Sequence, residues 1–381
     1  MTDPRVLVVH NRYRIHGGEE RAVDLQVAAL RRAGVPHATY YRDSGEAGKA
    51  RAARALVRGG EAPDDVAAAL RSLNAQVAHF HNVHPLLGSR ALAAARAEGA
   101  RVVMHLHNFR LFCAIGVCFR AGEPCFRCHG RFTAPGLVLD CRGSLPEAGA
   151  YAYALSKHQP EVFASVDRFV TPSAYAARQL ETLGLPEGRT EVLPHYIPAS
   201  ALADRSRANR GQFALAFGRL SPEKGFACAV DAAAISGVPL KIAGEGPMER
   251  ELAARVERDQ APVELIGKVP PDTLRDLLRR AALVVVPSMG NETFGFAALE
   301  AMAAGVPVVA SRSGALPEVA GDDACVSRGD ALALAARMQE LWGDPERRAH
   351  EGDAGIARAR DRFGEERYVR SLLALYADVL G

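Results

Sequence analysis

The chain contains 381 residues, of which 48% are hydrophobic and 24% are charged. This length is too great for one compact core, so we expect two domains. The 47 basic and 44 acidic residues nearly balance, which argues against a nucleic-acid-binding protein. No apolar window approaches the ~20 residues that a membrane-spanning helix needs, and the first residues lack the pattern of a secretory signal. We therefore predict a cytoplasmic protein without a nucleic-acid partner.

Short apolar runs rich in β-branched residues alternate with Ala-, Leu- and Arg-rich helical segments along the chain. This alternation is typical of parallel α/β sheets. In the first half we predict helices over 19–33 and 91–98 and strands over 6–10, 77–81, 102–106 and 168–171. In the second half we predict a last amphipathic helix near 364–380 and strands over 213–217, 240–243, 263–266, 283–287 and 308–310.

The fold class that follows is α/β, with two Rossmann-like parallel-sheet domains that face each other across a deep cleft. The predicted divisions are domains of residues 1–195 and 212–360, a linker of 196–211, and a terminal helix of 361–381 that packs back toward the first domain. Neither half contains the G-x-G-x-x-G fingerprint, because AGEGPM at 243–248 lacks the third glycine. A nicotinamide dehydrogenase is therefore disfavoured. Open α/β sheets bind ligands in the turns at the carboxyl ends of their strands.

The first such turn in the second half is GRLSPEKG, which follows the predicted strand 213–217. Arg219 and Lys224 flank a Ser-Pro turn, so both cations can point to the carboxyl edge of the sheet. An arginine fork and a mobile lysine charge suit a diphosphate. Such a pair would neutralise a departing nucleoside diphosphate. The alternative is a solvated turn that caps the next helix.

Two acidic residues, Glu292 and Glu300, enclose a Phe-Gly-Phe sequence after the strand LVVVPS. A helix that begins near Phe294 would place the carboxylates ~12 Å apart at ~1.5 Å per residue, roughly the reach of a nucleotide-sugar from hexose to ribose. The amides of Phe294 to Phe296 would face the phosphates, and Gly295 would let the backbone approach them. The alternative is that Glu292 is a helix cap and Glu300 a surface residue.

These segments carry a family resemblance. ETFGFAALEAMAAGVPVV and GRLSPEKG resemble the E-x7-E and G-R-x-x-x-x-K-G motifs of family 4 retaining glycosyltransferases, which have the GT-B fold. HNRYRIHGGEERAVDLQVAALRRAG is similar to the family's N-terminal glycine loop and helix, and IAGEGP and IGKVP are similar to its base-side loops. The resemblance implies a first domain that binds the acceptor and a second domain that binds a nucleotide-sugar donor.

The resemblance also assigns roles to residues. Arg219 and Lys224 would hold the donor diphosphate, Glu292 would contact the hydroxyls of the transferred sugar, and Glu300 would bind the ribose. The other donor-binding residues that it implies are Phe294, Gly295 and Phe296 beside the sugar, Gly244, Gly246, Lys268 and Val269 at the nucleoside, and Gly17 and Gly18 at the phosphates. His107, at the end of VVMHLHN, matches the family histidine at the reaction centre and completes the catalytic set. His79 and His105 lie within strands and are interpreted as packed or hydrogen-bonded.

Seven cysteines in a cytoplasmic protein indicate thiols or metal ligands rather than disulfides. Most lie in a cysteine-rich insert at 108–144, which is similar to an insert in a subgroup of the family. Cys113, Cys125, Cys128 and Cys141 have a spacing that would suit a structural zinc site, with Cys118 and His129 as spare candidates. The alternative is a set of partly buried free thiols. The insert follows His107, so it can shape acceptor choice.

The sequence thus predicts a retaining, metal-independent hexosyltransferase that uses a UDP- or GDP-sugar and a hydroxyl acceptor. The acceptor is left open among a glycan, a lipid-linked glycan and a natural-product aglycone, as are a peripheral contact with the inner membrane face and the oligomeric state. The Glu292–Glu300 spacing is too wide for the ~5 Å nucleophilic pair of retaining glycosidases. In line with the resemblance, front-face substitution is the hypothesis for the mechanism. A GT-B nucleotide-sugar epimerase and a non-catalytic nucleotide-sugar-binding protein are the alternatives.

Overall fold

The structure is a computed structural model that describes residues 4–13 and 17–381. The chain divides into two compact units. The first contains the described residues up to Cys118, together with Cys125–His195 and Glu366–Gly381. The second contains Phe119–Pro124 and Tyr196–Glu365.

The strands and helices are numbered in chain order. The strands are β1 (Val6–Arg12), β2 (His37–Asp43), β3 (Val77–Phe80), β4 (Arg101–His105), β5 (Phe119–Arg120), β6 (Glu123–Pro124), β7 (Arg168–Thr171), β8 (Thr190–Val192), β9 (Phe213–Phe217), β10 (Leu240–Ala243), β11 (Val263–Gly267), β12 (Ala281–Val286), β13 (Val308–Ser311) and β14 (Cys325–Val326). The helices are α1 (Gly18–Arg32), α2 (Lys49–Arg58), α3 (Pro63–Leu73), α4 (Gly88–Ala97), α5 (Ala134–Val138), α6 (Leu145–Ser165), α7 (Ala174–Thr182), α8 (Phe226–Ser236), α9 (Glu249–Arg258), α10 (Pro271–Arg280), α11 (Phe296–Ala303), α12 (Leu316–Ala320), α13 (Ala331–Gly343), α14 (Pro345–Phe363) and α15 (Glu365–Leu380).

The first unit is built on a parallel six-stranded sheet of order β2-β1-β3-β4-β7-β8. On one face, side chains such as Leu7, Phe80 and Met104 join a buried apolar cluster. Successive side chains of a strand point to opposite faces, so the alternate residues His79 and His105 lie on the other face. That face is covered by α1 and α15, since Gln26 hydrogen-bonds Tyr376 at 3.2 Å.

The second unit is built on a parallel sheet of order β11-β10-β9-β12-β13-β14. Apolar clusters lie on both faces, one around Leu215 and Val284 and one around Ala214 and Leu283. Burial on both faces explains why these strands appear in the sequence as continuous apolar runs. The two parallel-sheet units confirm the predicted α/β class of two Rossmann-like domains.

Residues 196–211, predicted as a linker, pack within the second unit. The Ser206 amide donates to Asp353 at 2.6 Å, and the Ser206 hydroxyl donates to the Gly305 carbonyl at 2.6 Å. The buried Arg348 donates to the Ala208 carbonyl at 2.9 Å. The terminal helix α15 lies in the first unit. Among the described residues, no helix combines the length and the apolar character that a bilayer crossing needs.

Candidate active site

The loops that follow β9 and β10 interlock at the carboxyl edge of the second sheet. The Gly218 amide donates to the Ala243 carbonyl at 3.0 Å, and the Leu220 amide donates to the Glu245 carbonyl at 2.9 Å. Gly244 has φ +155°, and a Cβ there would lie 1.9 Å from the Gly218 oxygen. Only glycine therefore allows the two loops to approach each other this closely.

The loop after β11 joins the same edge. The Gly244 amide donates to the Gly267 carbonyl at 2.8 Å. Lys268 forms an exposed ion pair with Glu245, with Nζ and Oε1 2.6 Å apart. Gly246 has φ +159° and would place a Cβ 2.4 Å from the Leu220 oxygen. The structure thus brings the predicted nucleoside-side residues Gly244, Gly246, Lys268 and, next in the chain, Val269 onto neighbouring loops.

Lys224 and Glu292 are held together by contacts between the β9 and β12 loops. The Met289 and Gly290 amides both donate to the Glu223 carbonyl, at 2.9 and 2.8 Å. Gly225 adopts φ +70°, and a Cβ there would lie 2.0 Å from the Pro287 oxygen. This backbone contact fixes the position of Lys224 beside the residues that follow β12.

Lys224 Nζ donates to Glu292 Oε1 at 2.6 Å, and the Ser288 hydroxyl donates to the same oxygen at 2.6 Å. The Glu292 side chain is only 13% exposed, whereas that of Lys224 is 32% exposed. Burial opposes ionisation of Glu292, but the charge of Lys224 and the two hydrogen bonds hold its pKa below the usual value. Glu292 is therefore an anion at neutral pH, and Lys224 keeps donor protons for a further acceptor.

Arg219 lies on the same loop as Lys224 but is more exposed. Its Nη2 donates to Glu223 Oε1 at 2.9 Å, and the Ser221 hydroxyl donates to that oxygen at 2.6 Å. Glu223 and Ser288 were not singled out from the sequence, although each accompanies a predicted residue: Glu223 stands between the two cations, and Ser288 ends the LVVVPS run. Each contacts one of the predicted charged side chains.

Helix α11 begins at a different residue from the predicted one. It begins at Phe296, with Gly295 at φ +103° as its N-cap, and not near Phe294. The Phe294 ring is 3% exposed and packs against Phe363 and Phe296, so this side chain belongs to the core. Since the helix starts two residues later, its first turn consists of Phe296 and the residues after it. Glu300 lies on this helix in a half-buried position.

The predicted glycine loop lies in the first unit, but residues 14–16 fall outside the described part of the chain. Gly17 is the N-cap of α1, and Gly18 is its first residue. The Gly17 amide donates to Glu20 Oε2 at 2.9 Å, and the Tyr13 amide donates to Glu20 Oε1 at 2.9 Å. The buried Glu20 thus ties the start of α1 to the end of β1.

His107 follows β4 in a stack of imidazole rings. His105 and His107 are 4.2 Å apart at their centroids with planes at 12°, and His81 Nδ1 lies 2.8 Å from His107 Nε2. Burial, with the other rings of the stack adding to it, lowers the pKa of His107 well below the usual value. The ring is therefore neutral at pH 7 and can accept or donate one proton. His79 is hydrogen-bonded, as its interpretation from the sequence supposed.

The structure does not assemble the predicted zinc quartet of Cys113, Cys125, Cys128 and Cys141. None of the four forms a disulfide. Within the described residues, no three cysteines bring their Sγ atoms within 4.8 Å of one another. Cys113 is engaged instead with Cys118, whose thiol hydrogen-bonds it and lowers its pKa to about 6. The Cys125 amide donates to the Cys118 carbonyl at 2.7 Å, so backbone contacts order this part of the insert.

Two Rossmann-like parallel-sheet units in one chain agree with the expected GT-B class of fold. Residues 7–200 match the model of Glycosyltransferase Family 4, and residues 211–344 match that of Glycosyl transferases group 1. The first match covers more than half of the chain. The chain belongs to Glycosyltransferase Family 4.

Named relatives agree with this membership. D-inositol 3-phosphate glycosyltransferase of Acidothermus cellulolyticus is 33% identical over 268 residues, which is 62% of this chain and 58% of that protein. GDP-mannose-dependent alpha-(1-6)-phosphatidylinositol dimannoside mannosyltransferase of Mycobacterium tuberculosis is 33% identical over 231 residues, which is 55% of this chain and 58% of that protein. The chain therefore spans less than two thirds of the length of these relatives.

A solved structure extends the comparison to almost the whole chain. Anabaena HepE in complex with UDP and glucose matches with a TM-score of 0.70 and 15% identity, over 98% of this chain and 100% of that one. At this identity the match establishes a shared fold. Both units of the chain therefore have the architecture of a solved GT-B protein.

Proposed function

We propose that this protein is a retaining glycosyltransferase that moves a hexose-type sugar from a nucleoside diphosphate sugar to a hydroxyl acceptor. The observation that carries the proposal is the network of Lys224, Glu292 and Ser288 at the carboxyl edge of the second sheet. It places a cation and a buried carboxylate 2.6 Å apart, next to the helix that bears Glu300. An anionic phosphate and a polyhydroxylated sugar need this combination of groups.

The diphosphate is assigned to Lys224 and Arg219. Lys224 uses one of its three donor protons on Glu292, and its remaining donors can serve phosphate oxygens. Arg219 would exchange its exposed bond to Glu223 for a forked contact with the second phosphate. As the glycosidic bond breaks, both cations stabilise the charge that develops on the leaving group. The first turn of α11 adds the positive end of a helix dipole.

Glu292 is assigned to the hydroxyls of the transferred sugar, and Glu300 to the ribose. Glu292 is an anionic acceptor with one oxygen held by Lys224 and Ser288, so its orientation is set before the sugar arrives. Preorganised acceptors of this kind position the sugar without further ordering cost. The acceptor hydroxyl then attacks on the face of the leaving group, and a donor phosphate oxygen takes its proton. Neutral His107 is assigned to the reaction centre, where it hydrogen-bonds the donor sugar.

The nucleotides named for a relative and a structural neighbour support the choice of donor. One relative is named for GDP-mannose, and the solved HepE complex contains UDP. The donor is therefore a UDP- or GDP-sugar, and the acceptor is a hydroxyl of a glycan, a lipid-linked glycan or an aglycone. The sequence offers no Asp-x-Asp pair for a divalent cation at the diphosphate, and the proposed transfer needs none.

A peripheral membrane contact is proposed for the first unit, through exposed apolar residues in and around α5 and α6 and exposed basic residues on α2. Val138, Leu145 and Phe132 are 80%, 61% and 54% exposed there. Helix α2 packs on α6 and carries exposed basic residues, which favour an anionic bilayer. Cosedimentation with vesicles of anionic phospholipid tests this contact. Val138→Glu should weaken it, and equal binding to zwitterionic vesicles would contradict the role of charge.

The enzymatic proposal is tested by a donor screen followed by product analysis. A bound nucleotide-sugar should raise the melting temperature by mass action, and the stabilising donor is then incubated with candidate acceptors. We expect acceptor-dependent release of nucleoside diphosphate that a chelator does not reduce during the assay. Conversion of the donor without an acceptor would favour a nucleotide-sugar epimerase. Donor binding with neither sugar transfer nor slow donor hydrolysis would favour a non-catalytic binding protein.

A further inference from the structure

One face of the first sheet carries buried histidines that the proposed transfer does not use. His79 on β3 pairs in register with Val8 on β1 and Val103 on β4. His81 lies two residues after His79, and His105 lies two residues after Val103 on β4. All three imidazoles therefore project from the same face of the sheet. Their exposures are 0%, 2% and 1%. An apolar residue would be expected at each of these positions.

The three rings lie close enough to share one ligand. Their centroids are separated by 4.9 Å for His79 and His81, 5.4 Å for His81 and His105, and 5.8 Å for His79 and His105. One ring nitrogen from each residue lies within 4.8 Å of the others. The ring planes lie at 11°, 20° and 30° to one another, so the rings would have to turn out of this stack to point one nitrogen each at a single metal ion.

At least one nitrogen of each of the three rings has no hydrogen-bond partner among the described residues. His79 Nδ1 lies 3.0 Å from Gln26 Nε2 and 2.8 Å from the Tyr376 hydroxyl. His81 Nδ1 lies 2.8 Å from His107 Nε2. Within the described part of the chain, Nε2 of His79, Nε2 of His81 and both nitrogens of His105 are buried without a hydrogen-bond partner. Each buried polar atom without a hydrogen bond lowers the stability of the fold by about 1–3 kcal/mol unless a ligand binds it.

We propose that His79, His81 and His105 form a binding site for one divalent transition-metal ion of the zinc type. Neutral imidazole is a preferred ligand of Zn²⁺, Co²⁺ and Ni²⁺. In protein sites the ring nitrogen that does not bind the metal is held by a polar neighbour, which fixes the orientation of the ring. In the metal-bound form, His79 Nδ1–H would donate to the Tyr376 hydroxyl and His81 Nδ1–H to His107 Nε2. The unpartnered Nε2 atoms are therefore the ligand atoms.

A buried carboxylate lies one histidine ring away from the three-histidine cluster. The buried Glu20 lies with Oε1 3.8 Å from His10 Nε2, and the His10 ring contacts the His81 ring edge-on at 6.1 Å. A dication in a buried site needs such a negative group, because desolvation is costly without it. A water molecule or hydroxide would supply the fourth ligand of a tetrahedral site. The ion would be structural, and by fixing His81 it would also orient His107.

The site is tested on the full-length chain by measuring bound metal. The protein is stripped with a strong chelator, dialysed against Zn²⁺ or Co²⁺, freed of unbound ions and analysed for metal content. We expect about one ion per chain, held by nitrogen and oxygen ligands at about 2.0–2.2 Å in an X-ray absorption spectrum. His79→Gln and His105→Gln should abolish this binding. Tyr376→Phe should weaken it about 10- to 100-fold, as expected for a partner of a ligand.

Matched controls separate this site from the cysteines and from surface histidines. His350→Gln, on the exposed face of α14, and Cys125→Ser should both retain the ion. Loss of the ion in Cys125→Ser, or sulfur at about 2.3 Å in the absorption spectrum, would overturn the proposal in favour of a cysteine site. A wild-type protein without bound metal would overturn it as well, and the histidines would then be a stack of neutral rings. The wild-type spectrum decides the matter even if a histidine variant does not fold.

Discussion

Replacing Lys224 by methionine tests two roles of this residue, which are to neutralise Glu292 and to bind the donor phosphate. The substitution removes an ammonium 2.6 Å from a carboxylate that is 13% exposed, so Glu292 loses its counter-charge but keeps its bond from Ser288. We expect the free energy of unfolding to fall by about 1–3 kcal/mol, the cost of an unsatisfied buried group. Binding of a nucleoside diphosphate should weaken by about 10- to 150-fold, since one sheltered charge-assisted bond is worth about 1.5–3 kcal/mol.

The double variant Lys224→Met with Glu292→Gln distinguishes the loss of stability from the loss of nucleotide binding. Removing both charges should restore much of the stability, because no buried carboxylate is left unpaired. It should not restore nucleotide binding, because the phosphate contact is still missing. Urea unfolding and calorimetric titration with UDP and GDP measure the two quantities. Lys241→Met, which breaks an exposed pair with Glu264 on β11, is the matched control and should alter neither strongly.

Nucleotide binding by Lys224→Met as tight as that of the wild type would refute the phosphate-binding role of Lys224. A double variant that regains binding along with stability would refute it as well, because the lysine would then serve only to neutralise Glu292.

Three further predictions concern the second unit. The pKa of Glu292 is lowered on folding, so its stabilising contribution is complete above the unfolded pKa of about 4.3 and disappears as the pH falls through the folded value. The difference in unfolding free energy between wild type and Glu292→Gln should therefore shrink below about pH 4. A constant difference from pH 7 to pH 3 would contradict this. Gly244→Ala places a Cβ 1.9 Å from the Gly218 oxygen and should weaken nucleotide binding and lower stability by at least about 1–3 kcal/mol, whereas Gly237→Ala, with φ +68° but no atom within 4 Å, isolates the cost of the dihedral alone. Arg348→Met removes buried donors to the carbonyls of Ala208 and Leu341 and should lower the melting temperature, while exposed Arg347→Met should change it much less; equal effects would refute the structural role of Arg348.

The apolar strands of the second unit were predictable because burial on both faces leaves a continuous signal. The predicted spans 213–217 and 240–243 coincide with β9 and β10. Strand β2 was missed because it is an edge strand whose HATYYRD sequence is only half-buried. Strand β12 begins at Ala281, directly after α10, so no turn residue marks its start. Edge position and short connections weaken the local pattern on which such predictions depend.

The candidate site was predictable as a set of residues, but not as a set of contacts. The motif spacing indicated Lys224 and Glu292, whereas their direct bond results from the long-range contact between the loops of β9 and β12. The later start of α11 follows from the left-handed conformation of Gly295, which periodicity cannot reveal. The buried histidines of the first sheet depend on strand register. The sequence showed their number, but it did not show that they face one another.

The central claim is that the sugar leaves the donor and reaches the acceptor with the same anomeric configuration. The direct measurement is the anomeric coupling constant of the purified product by proton NMR, taken with the donor and acceptor that support turnover. For an α-linked donor we expect an α-linked product. A β-linked product would contradict front-face transfer at the Lys224–Glu292 site.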